Sequence, residues 1–507
     1  MKRLFVLVTA LVTFASAAFC QQKLYFATDR SIYLAGEPVF CSVFCTENGL
    51  LSSAHNIAYL ELSSTAENSV TAKAALSEGR GCARVDIPED LPTGNYALTA
   101  YLPGGGARFS KVVSIFNTSS VSRVRDGVEV ISEEEYRSLA WPRYPVTDNL
   151  KFRVAEGPDG TSKAYVSNAG ESRLSLSIGV VRADGIVPPS VSGAYAGEEQ
   201  SAPCEGEIVR AKLVGSGKAA SAVLSTLGNV SNIYFASVGE NGIAQFHTGN
   251  IFGEGKVVLE PLDVTDGECH FELESPFTTP APACEVPKLA VSKCIGADLT
   301  ERDRLLNLQR ADRDSVRMVL PFQETPAFGA ADRVYRLDDY TRFLNLPEVI
   351  VEILPELKVV KSQGVNRIGV LVGGRFSEEA LVMMDGVPVT DHQTLLSYDP
   401  LLIESVSVYC GTYSFDGKII RGAANFETYK HTAPGFKFPS NAVKLRFRGA
   451  AIPEIISTPD RQTIYWNPLV VLEPGQEISV PYAGSALLTV DGIDESGCRA
   501  CLAAQVR

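Results

Sequence analysis

Cysteine and histidine are the residues best able to bind a metal or attack a substrate, and this sequence has eleven and five of them. Cys498 and Cys501 form a CxxC pair, but no second pair completes a zinc site, and no βαβ pattern suggests a thioredoxin-like redox site. The histidines are scattered, at His55, His247, His270, His392 and His431. We therefore expect no metal, no cofactor and structural rather than reactive thiols.

Acidic and hydroxyl residues also lack the spacing of a catalytic motif. Residues 215–217 and 484–485 do not match the G-x-S-x-G pattern of serine hydrolases, and residues 104–106 do not have P-loop spacing. Asp491, Asp494 and Glu495 cluster near a turn and are of the type that binds calcium. We expect a polar hairpin loop there rather than a calcium site, and we predict no catalytic residues.

Five aromatic side chains are candidates for a ligand-binding groove: Tyr25, Tyr33, Trp141, Tyr465 and Trp466. The alternative is that they fill the cores of β-sandwiches, which is the commoner place for such residues. For these five aromatic residues the sequence favours positions in the cores of β-sandwiches.

Composition and charge exclude several classes of protein. Hydrophobic residues make up 45% and charged residues 21%, which is typical of globular domains rather than of disordered or fibrous chains. The formal net charge of −13 argues against non-specific binding to nucleic acid or anionic lipid. The length predicts three or four domains.

Residues 1–20 have the layout of a secretory signal peptide. Lys2 and Arg3 precede an apolar run that is shorter than the ~20 residues of a spanning helix, and small residues follow. Cleavage after Ala18 and cleavage after Cys20 both fit, and in a lipoprotein Cys20 would carry the lipid anchor. The signal peptide predicts an exported chain. No later apolar run is long enough to cross a membrane, so we expect the mature chain not to span one by a helix.

The segment that follows is predicted to be mainly β. Short apolar runs at 39–43 and 96–101 alternate with turn signals and indicate a β-sandwich over 23–117. A second β module is predicted over 146–195, where Leu174, Leu176 and Ile178 alternate with Arg173 and serines, so one face should be buried and the other wet. A third module is predicted over 205–275, with a hairpin of 233–238 and 243–246 around an Asn-Gly turn.

Helical signals appear before and after the third module. Ser132, followed by Glu135, predicts the start of a short helix. Residues 299–336 are predicted to be a charged helical connector that Thr300 can cap. Pro347 predicts the start of a short amphipathic helix in an α+β domain over 337–430, in which Asp385 and Gly386 form a turn. Strand patterns return in a terminal β unit over 441–507.

Residues 24–45, LYFATDRSIYLAGEPVFCSVFC, resemble the opening strands of macroglobulin domains of the α2-macroglobulin type. The matching residues are Tyr25, Thr28, Asp29, Arg30, Tyr33, Gly36, Glu37 and Val39. Residues 91–102, LPTGNYALTAYL, resemble the closing strands. The resemblance implies a sandwich fold. It does not imply covalent protease trapping, because the G-C-G-E-Q thioester motif of α2-macroglobulins is absent from the sequence.

Residues 380–430 are similar to the plug domain of TonB-dependent outer-membrane receptors. The matching pieces are the DGVPV turn at 385–389, the strand DPLLIESVSV at 399–408 and the GAAN strand at 422–425. In a receptor a large β-barrel follows the plug, and too few residues follow Lys430 here, so we expect a plug-like domain without a transporter. Residues 463–497 resemble a small immunoglobulin-like unit of exported bacterial proteins.

The predicted fold is thus tandem immunoglobulin- or macroglobulin-like β-sandwiches, then a plug-like α+β domain and a terminal β unit. The resemblances imply a family of exported proteins of Gram-negative bacteria, periplasmic or associated with the outer membrane. We expect a non-enzymatic binding or scaffold module for a protein or envelope partner, with strand addition at exposed sheet edges as the binding mode. The alternatives are an accessory of a TonB-linked outer-membrane nutrient-uptake system and a hydrolase with a site between domains.

Overall fold

The computed structural model of the chain describes residues 22–63, 69–103, 107–119, 127–141, 146–156, 162–189, 193–196, 207–227, 232–248, 254–278, 281–312, 318–319, 327–362, 364–415, 418–438, 443–448, 452–453, 455–457 and 461–506. The predicted signal peptide, with Cys20, lies outside these residues. The chain divides into two compact units. Unit 1 comprises Met1–Glu205, Phe277–Val319 and Ala450–Arg507, and unit 2 comprises Gly206–Pro276 and Leu320–Gly449.

The chain is mainly β, as the sequence predicts. The strands up to residue 196 are β1 (Gln22–Thr28), β2 (Ile32–Leu34), β3 (Pro38–Glu47), β4 (Leu50–Leu51), β5 (Ile57–Ser63), β6 (Val70–Ser77), β7 (Arg80–Asp86), β8 (Gly94–Tyr101), β9 (Arg108–Phe116), β10 (Val128–Val130), β11 (Leu150–Glu156), β12 (Ser162–Asn168), β13 (Leu174–Arg182) and β14 (Ala194–Ala196). Those from 208 to 319 are β15 (Ile208–Gly215), β16 (Ser221–Leu227), β17 (Ile233–Ser237), β18 (Ile243–His247), β19 (Glu254–Leu262), β20 (Cys269–Leu273), β21 (Leu289–Val291) and β22 (Met318–Val319).

The later strands are β23 (Arg333–Arg336), β24 (Leu357–Ser362), β25 (Val365–Val372), β26 (Arg375–Ser377), β27 (Leu381–Met384), β28 (Val387–Pro388), β29 (Ile403–Phe415), β30 (Lys418–Thr428), β31 (Val443–Arg448), β32 (Ile452–Pro453), β33 (Ile456–Ser457), β34 (Thr463–Leu472), β35 (Glu477–Tyr482), β36 (Ala486–Asp494) and β37 (Arg499–Val506). The helices are α1 (Glu133–Ser138), α2 (Gly296–Asp312), α3 (Leu346–Ile353) and α4 (His392–Leu396). Within the described residues, no helix has both the length and the apolar character needed to cross a membrane.

Unit 1 begins with a ten-stranded sheet in the order β1-β3-β7-β6-β5-β8-β9-β14, in which β2 also pairs with β9 and β4 with β3. Val39, Cys41 and Val43 share one face of β3 and are fully buried in its core, as their spacing predicts. Gly36 has φ +87° in the predicted turn, a conformation that a residue with a Cβ rarely adopts.

The rest of unit 1 contains a five-stranded sheet, β33-β34-β13-β36-β37, and a three-stranded sheet, β11-β12-β35, around one core. The central strand β13 pairs with β34 and β36, so Leu174 lies opposite both Leu472 and Asp494. The segments predicted as a second module and as a terminal unit therefore share one pair of sheets. β14, at the end of the predicted second module, pairs instead with β9.

The prediction of a wet face on β13 is wrong, because both faces of this strand are covered. Ser175 and Ser177 are buried, and the Ser177 hydroxyl accepts a hydrogen bond from the indole N–H of Trp466 at 3.2 Å. A Cβ at Gly179 would lie 3.1 Å from the carbonyl oxygen of Asp29. Small and hydroxyl side chains on this face thus allow a close approach of the first sheet.

The helices of unit 1 match the sequence in part. Ser132 accepts a hydrogen bond from the Glu135 N–H at 3.1 Å and is the N-cap of α1, as predicted. The predicted cap at Thr300 is wrong, because α2 begins at Gly296 and the Thr300 hydroxyl donates to the Gly296 carbonyl within the helix. The helical connector predicted over 299–336 also extends too far, because Arg333–Arg336 is a strand.

Unit 2 contains two facing sheets, β18-β15-β20 and β17-β16-β19-β31, around a core that includes Leu224, Phe246 and Phe271. The predicted hairpin of 233–238 and 243–246 is wrong. The chain does turn at Gly242, but only Val238 and Ala244 form a bridge, and β17 and β18 then enter different sheets. β31, predicted as part of the terminal unit, pairs with β19.

The second part of unit 2 is α+β, in agreement with the prediction for 337–430. Its sheets are β23-β29-β30-β27-β28 and β24-β25-β26. Asn345 caps α3 and Pro347 lies in its first turn, while Val349 and Ile350 are buried in the core. The predicted apolar face of this helix is therefore confirmed.

Candidate functional site

Asp29, in the T-D-R-x-x-Y segment, holds together four strands of unit 1. Its carboxylate is buried, and Oδ1 accepts hydrogen bonds from the Tyr33 hydroxyl at 2.8 Å and the Phe40 N–H at 3.1 Å. Oδ2 accepts a hydrogen bond from the Thr463 hydroxyl at 2.6 Å. These bonds connect the end of β1 to β2, β3 and β34, so the acid at this position has a structural role.

Arg30 and Glu37, from the same segment, form a buried ion pair. Arg30 Nη2 lies 2.9 Å from Glu37 Oε2, and the two side chains are 8% and 3% exposed. The same oxygen accepts a hydrogen bond from the Leu34 N–H at 2.7 Å, which closes the turn between β2 and β3. Burial alone would lower the pKa of Arg30, but Glu37 and Asp29 outweigh it and raise the pKa.

Asp385 has a similar structural role in unit 2. It has φ +47° in the turn between β27 and β28, and its carboxylate is buried. It accepts hydrogen bonds from the N–H and hydroxyl of Thr428, both at 2.6 Å, and from the N–H of Ala433. The DGVPV turn is thereby connected to the end of β30.

The residues first considered for chemistry are dispersed. Among the described residues, no group of three or more histidine, cysteine, aspartate or glutamate side chains is placed to hold a metal ion. Burial lowers the pKa of His392 to about 4, and its Nδ1 accepts a hydrogen bond from the Ile368 N–H at 2.9 Å. The Cys498 and Cys501 thiols are free, and the latter is buried.

The three acidic residues predicted to cluster near a turn, Asp491, Asp494 and Glu495, contact different partners. Asp491 pairs with Lys111 and Arg499. Asp494 accepts hydrogen bonds from the Ser496 and Cys498 N–H groups, both at 2.9 Å, and so closes the hairpin. Glu495 pairs with Arg173. The expectation of a polar hairpin loop describes Asp494, while Asp491 belongs to an ion-pair cluster that the sequence did not indicate.

Four of the five aromatic candidates lie in cores. Tyr25, Tyr33, Tyr465 and Trp466 are buried. The side chain of Trp141 is 51% exposed, which makes it the candidate in this set that is open to a ligand.

The open side of β23 is the candidate binding surface of unit 2. Among the described residues β23 pairs only with β29, whereas at the other edge of the same sheet Val387 and Pro388 are buried. Val334 is 59% exposed on β23, and Arg333 and Arg336 beside it are also exposed. We call these three residues and the strand that carries them the edge surface.

The face of β23 opposite Val334 is attached to the rest of the domain by Tyr335. Tyr335 donates a hydrogen bond from its hydroxyl to Glu356 Oε2 at 2.5 Å and packs against the core of the domain. Burial, then the hydrogen bond and charge of Glu356, raise the pKa of Tyr335 well above its ordinary value. Because the strand is fixed on this side, the edge that has no partner strand among the described residues is preorganised to pair with a further strand.

Sequence reasoning missed β23 because the charged run before it favoured a helical connector through residue 336. The signal was present in the segment Arg-Val-Tyr-Arg, where β-branched and aromatic side chains follow one another between charges.

No family model matches the sequence, and the search of curated proteins found no match. Among solved structures the chain is similar to Salmonella α2-macroglobulin reacted with methylamine, at 9% identity and a TM-score of 0.23, over 96% of this chain and 39% of that one. It is also similar to trypsin-activated α2-macroglobulin from Escherichia coli, at 8% identity and a TM-score of 0.24, over 96% of this chain and 41% of that one. The chain therefore spans less than half the length of these two proteins.

Proposed function

We propose that this chain is an exported, non-enzymatic binding protein of a Gram-negative cell envelope, and that unit 2 binds a partner protein by strand addition along β23. The observation that carries the proposal is that one edge of this strand is unpaired within the described part of the chain, with Val334 exposed and Tyr335 anchored behind it. A non-enzymatic role fits the use of Asp29, Glu37 and Asp385 in structural hydrogen bonds.

The edge surface indicates the chemistry of the partner. Added strands are held by main-chain hydrogen bonds, and their side chains give specificity. Arg336 lies two residues from Val334 on the same face of β23, so an acidic residue two positions from an apolar one would complement this face. Arg333 lies on the opposite face with Tyr335, where its Nε is 3.7 Å from Glu356 Oε1. The proposed ligand is therefore an extended segment of an exported protein with this pattern.

The second candidate function is that of an accessory in TonB-linked outer-membrane uptake. It rests on the similarity of residues 380–430 to receptor plug domains, including the turn at Asp385 that the structure shows. The two candidates differ in the partner they require, because the accessory role requires a barrel protein or an inner-membrane energiser.

A photo-crosslinking amino acid at position 334 tests strand addition in cells. The matched control carries it at Val351, which is 73% exposed on α3 of the same unit. We expect a discrete cross-linked partner from position 334 and none from 351, and partner identity separates the two candidate functions.

A binding assay with the purified partner then tests whether strand addition is the binding mode. With the purified partner, Val334→Asp should abolish binding and Val351→Asp should leave it unchanged. The β23 amides that face away from β29 should become protected from hydrogen exchange in the complex. Equal binding by both variants, or unprotected β23 amides, would overturn strand addition.

Whether Cys20 carries a lipid anchor is tested with a Cys20→Ser variant. Cells that make the full-length chain and its Cys20→Ser variant are fractionated, and the mature N-terminus is measured by intact mass. A diacylglycerol mass and outer-membrane location in the wild type alone would establish a lipoprotein. If both forms are soluble and begin at Phe19 or Gln21, the lipid anchor is rejected and partners are sought in the periplasm.

A further inference from the structure

Unit 1 contains a cavity of about 600 Å³. Residues of β1, β9, β13, β36, β37 and α2 line it. Small-molecule sites have volumes of about 300–1,000 Å³, so this cavity has room for a small organic molecule.

The lining is cationic although the whole chain is acidic. Its five cationic side chains are Arg30, Lys111, Arg182, Arg302 and Arg499. Its acidic side chains are Asp184 and Asp491, and Arg30 is paired with Glu37 and Asp29 outside the lining. The other four cations of the lining still exceed its two acids, in a chain of net charge −13. This excess favours an anion inside the cavity.

Both acids are already engaged by cations of the lining. Asp184 Oδ2 accepts a hydrogen bond from Arg302 Nε at 2.6 Å. Asp491 lies between Lys111, at 3.3 Å, and Arg499, at 3.1 Å. One carboxylate shared by two cations leaves positive charge uncompensated at this end of the cavity.

Arg30 has a buried donor without an acceptor. Its side chain is 8% exposed, Nη2 pairs with Glu37 and Nη1 donates a hydrogen bond to the Thr463 hydroxyl at 3.1 Å. Nε lies 3.9 Å from Asp29 Oδ2, beyond hydrogen-bond distance, and donates no hydrogen bond among the described residues. A buried N–H without an acceptor costs free energy. Because Arg30 lines the cavity, the oxygen of a bound anion is a suitable acceptor.

Two further side chains agree with an anionic ligand that has an apolar part. Burial lowers the pKa of Lys111, and the charge of Asp491 offsets only part of this effect, so an added anion would stabilise the ammonium form. Trp141 lines the same cavity with half of its surface exposed, and Ile186 and Leu502 add apolar walls.

We propose that this cavity binds a small organic anion whose carboxylate or phosphate group contacts the cationic side chains and whose apolar or aromatic body packs near Trp141. The ligand class follows from the excess of cations, the unsatisfied Arg30 donor and the mixed lining. The site lies in unit 1 and is independent of strand addition in unit 2.

Calorimetric titration of the full mature chain with 1-naphthoate, phenyl phosphate and the neutral 1-naphthamide tests the proposal. We expect saturable binding of at least one anion, at least about tenfold tighter than that of the amide and weakened by added salt. The stronger of the two anions distinguishes a carboxylate from a phosphate site. Equal affinity for the amide, or no saturable binding of either anion, would overturn the proposal.

Variants locate the binding in this cavity. Arg182→Gln removes a partly exposed cation of the lining and should weaken anion binding about tenfold, whereas Arg153→Gln, at an exposed ion pair elsewhere in unit 1, should not change it. Trp141→Phe should remove the change in tryptophan fluorescence on binding while retaining the heat signal. Undiminished binding by Arg182→Gln, with a folded protein by circular dichroism, would place the anion elsewhere.

Discussion

Unit 1 has a largely buried carboxylate on a strand, Asp491, and unit 2 has a fully buried one, Glu260, and the two differ in their partners. In unit 1, Asp491 lies between Lys111 and Arg499, and its side chain is 17% exposed. In unit 2, Glu260 is 2% exposed, accepts a hydrogen bond from the Thr390 hydroxyl at 3.2 Å, and has a second oxygen without a partner among the described residues.

The two pKa values move in opposite directions. Burial alone would raise the pKa of Asp491, but the charges of Lys111 and Arg499 outweigh it, so the pKa lies below its ordinary value. Burial raises the pKa of Glu260 to about 7, and the Thr390 hydroxyl offsets only part of that rise. The comparison teaches that partners, rather than burial itself, decide whether a buried acid stabilises a fold in its charged form.

The largest effect is expected from Asp491→Asn. It leaves the buried Lys111 beside Arg499 with no anion, and should lower the free energy of unfolding by about 3–5 kcal/mol at neutral pH. Urea titration followed by tryptophan fluorescence measures this, because both tryptophans of the chain lie in unit 1.

Two controls separate charge from packing at Asp491. Adding Lys111→Met to the variant should recover part of the loss, because no buried ammonium then lacks a partner. Glu477→Gln, at the exposed pair with Arg153, should have a far smaller effect because solvent screens that pair. A variant as stable as the wild type would show that Asp491 does not compensate Lys111.

Glu260→Gln should raise the free energy of unfolding at neutral to alkaline pH, by less than Asp491→Asn lowers it. The folded pKa of about 7 lies above the unfolded value near 4.5, so the wild type loses stability as pH rises from about 4.5 to about 7. Glutamine retains the Thr390 hydrogen bond without the charge. The variant should match the wild type at pH 4 and be more stable by about 2–3 kcal/mol at pH 8.

Hydrogen exchange of β16 and β19 at several pH values, corrected for intrinsic rates, measures this difference locally. Protection of the wild type should fall relative to the variant between pH 5 and pH 7.5. Parallel pH profiles for the two proteins would contradict a buried, uncompensated carboxylate.

The smallest effect is expected from Thr390→Val. It removes the hydroxyl that donates to Glu260, so the pKa of Glu260 should rise further, and the protein should lose about 1 kcal/mol at pH 8. Thr390→Ser retains the donor and is the matched control. Acid titration of the Glu260 side chain by NMR compares the two, and identical pKa values would show that the hydroxyl contributes nothing.

Local features of the fold were predictable from short stretches of sequence. The alternation of Val39, Cys41 and Val43 gave a buried face, and Ser132 and Pro347 marked helix starts. Asp385 and Gly386 formed the expected turn. These features depend on neighbours a few residues away, and such interactions leave periodic or capping patterns.

Features that depend on distant partners were not predictable. Arg173 and the serines of β13 indicated a wet face, but the first sheet covers Ser175 and Ser177. The partners of Asp491 come from β9 and β37, and those of Glu260 include the distant Thr390. No residue spacing in the sequence indicates that these distant side chains contact one another.

The amino-acid sequence was enough to predict the mainly β class, the helix cap at Ser132 and the turns at Gly36 and Asp385. The tertiary structure was needed to show that β13 joins strands from the far end of the chain and that several cations line one cavity. It was also needed to show that β23 pairs on one side only, among the residues that the structure describes. The physical reason is that turns and caps are set by backbone geometry over a few residues, whereas burial and charge compensation depend on which strands pack together.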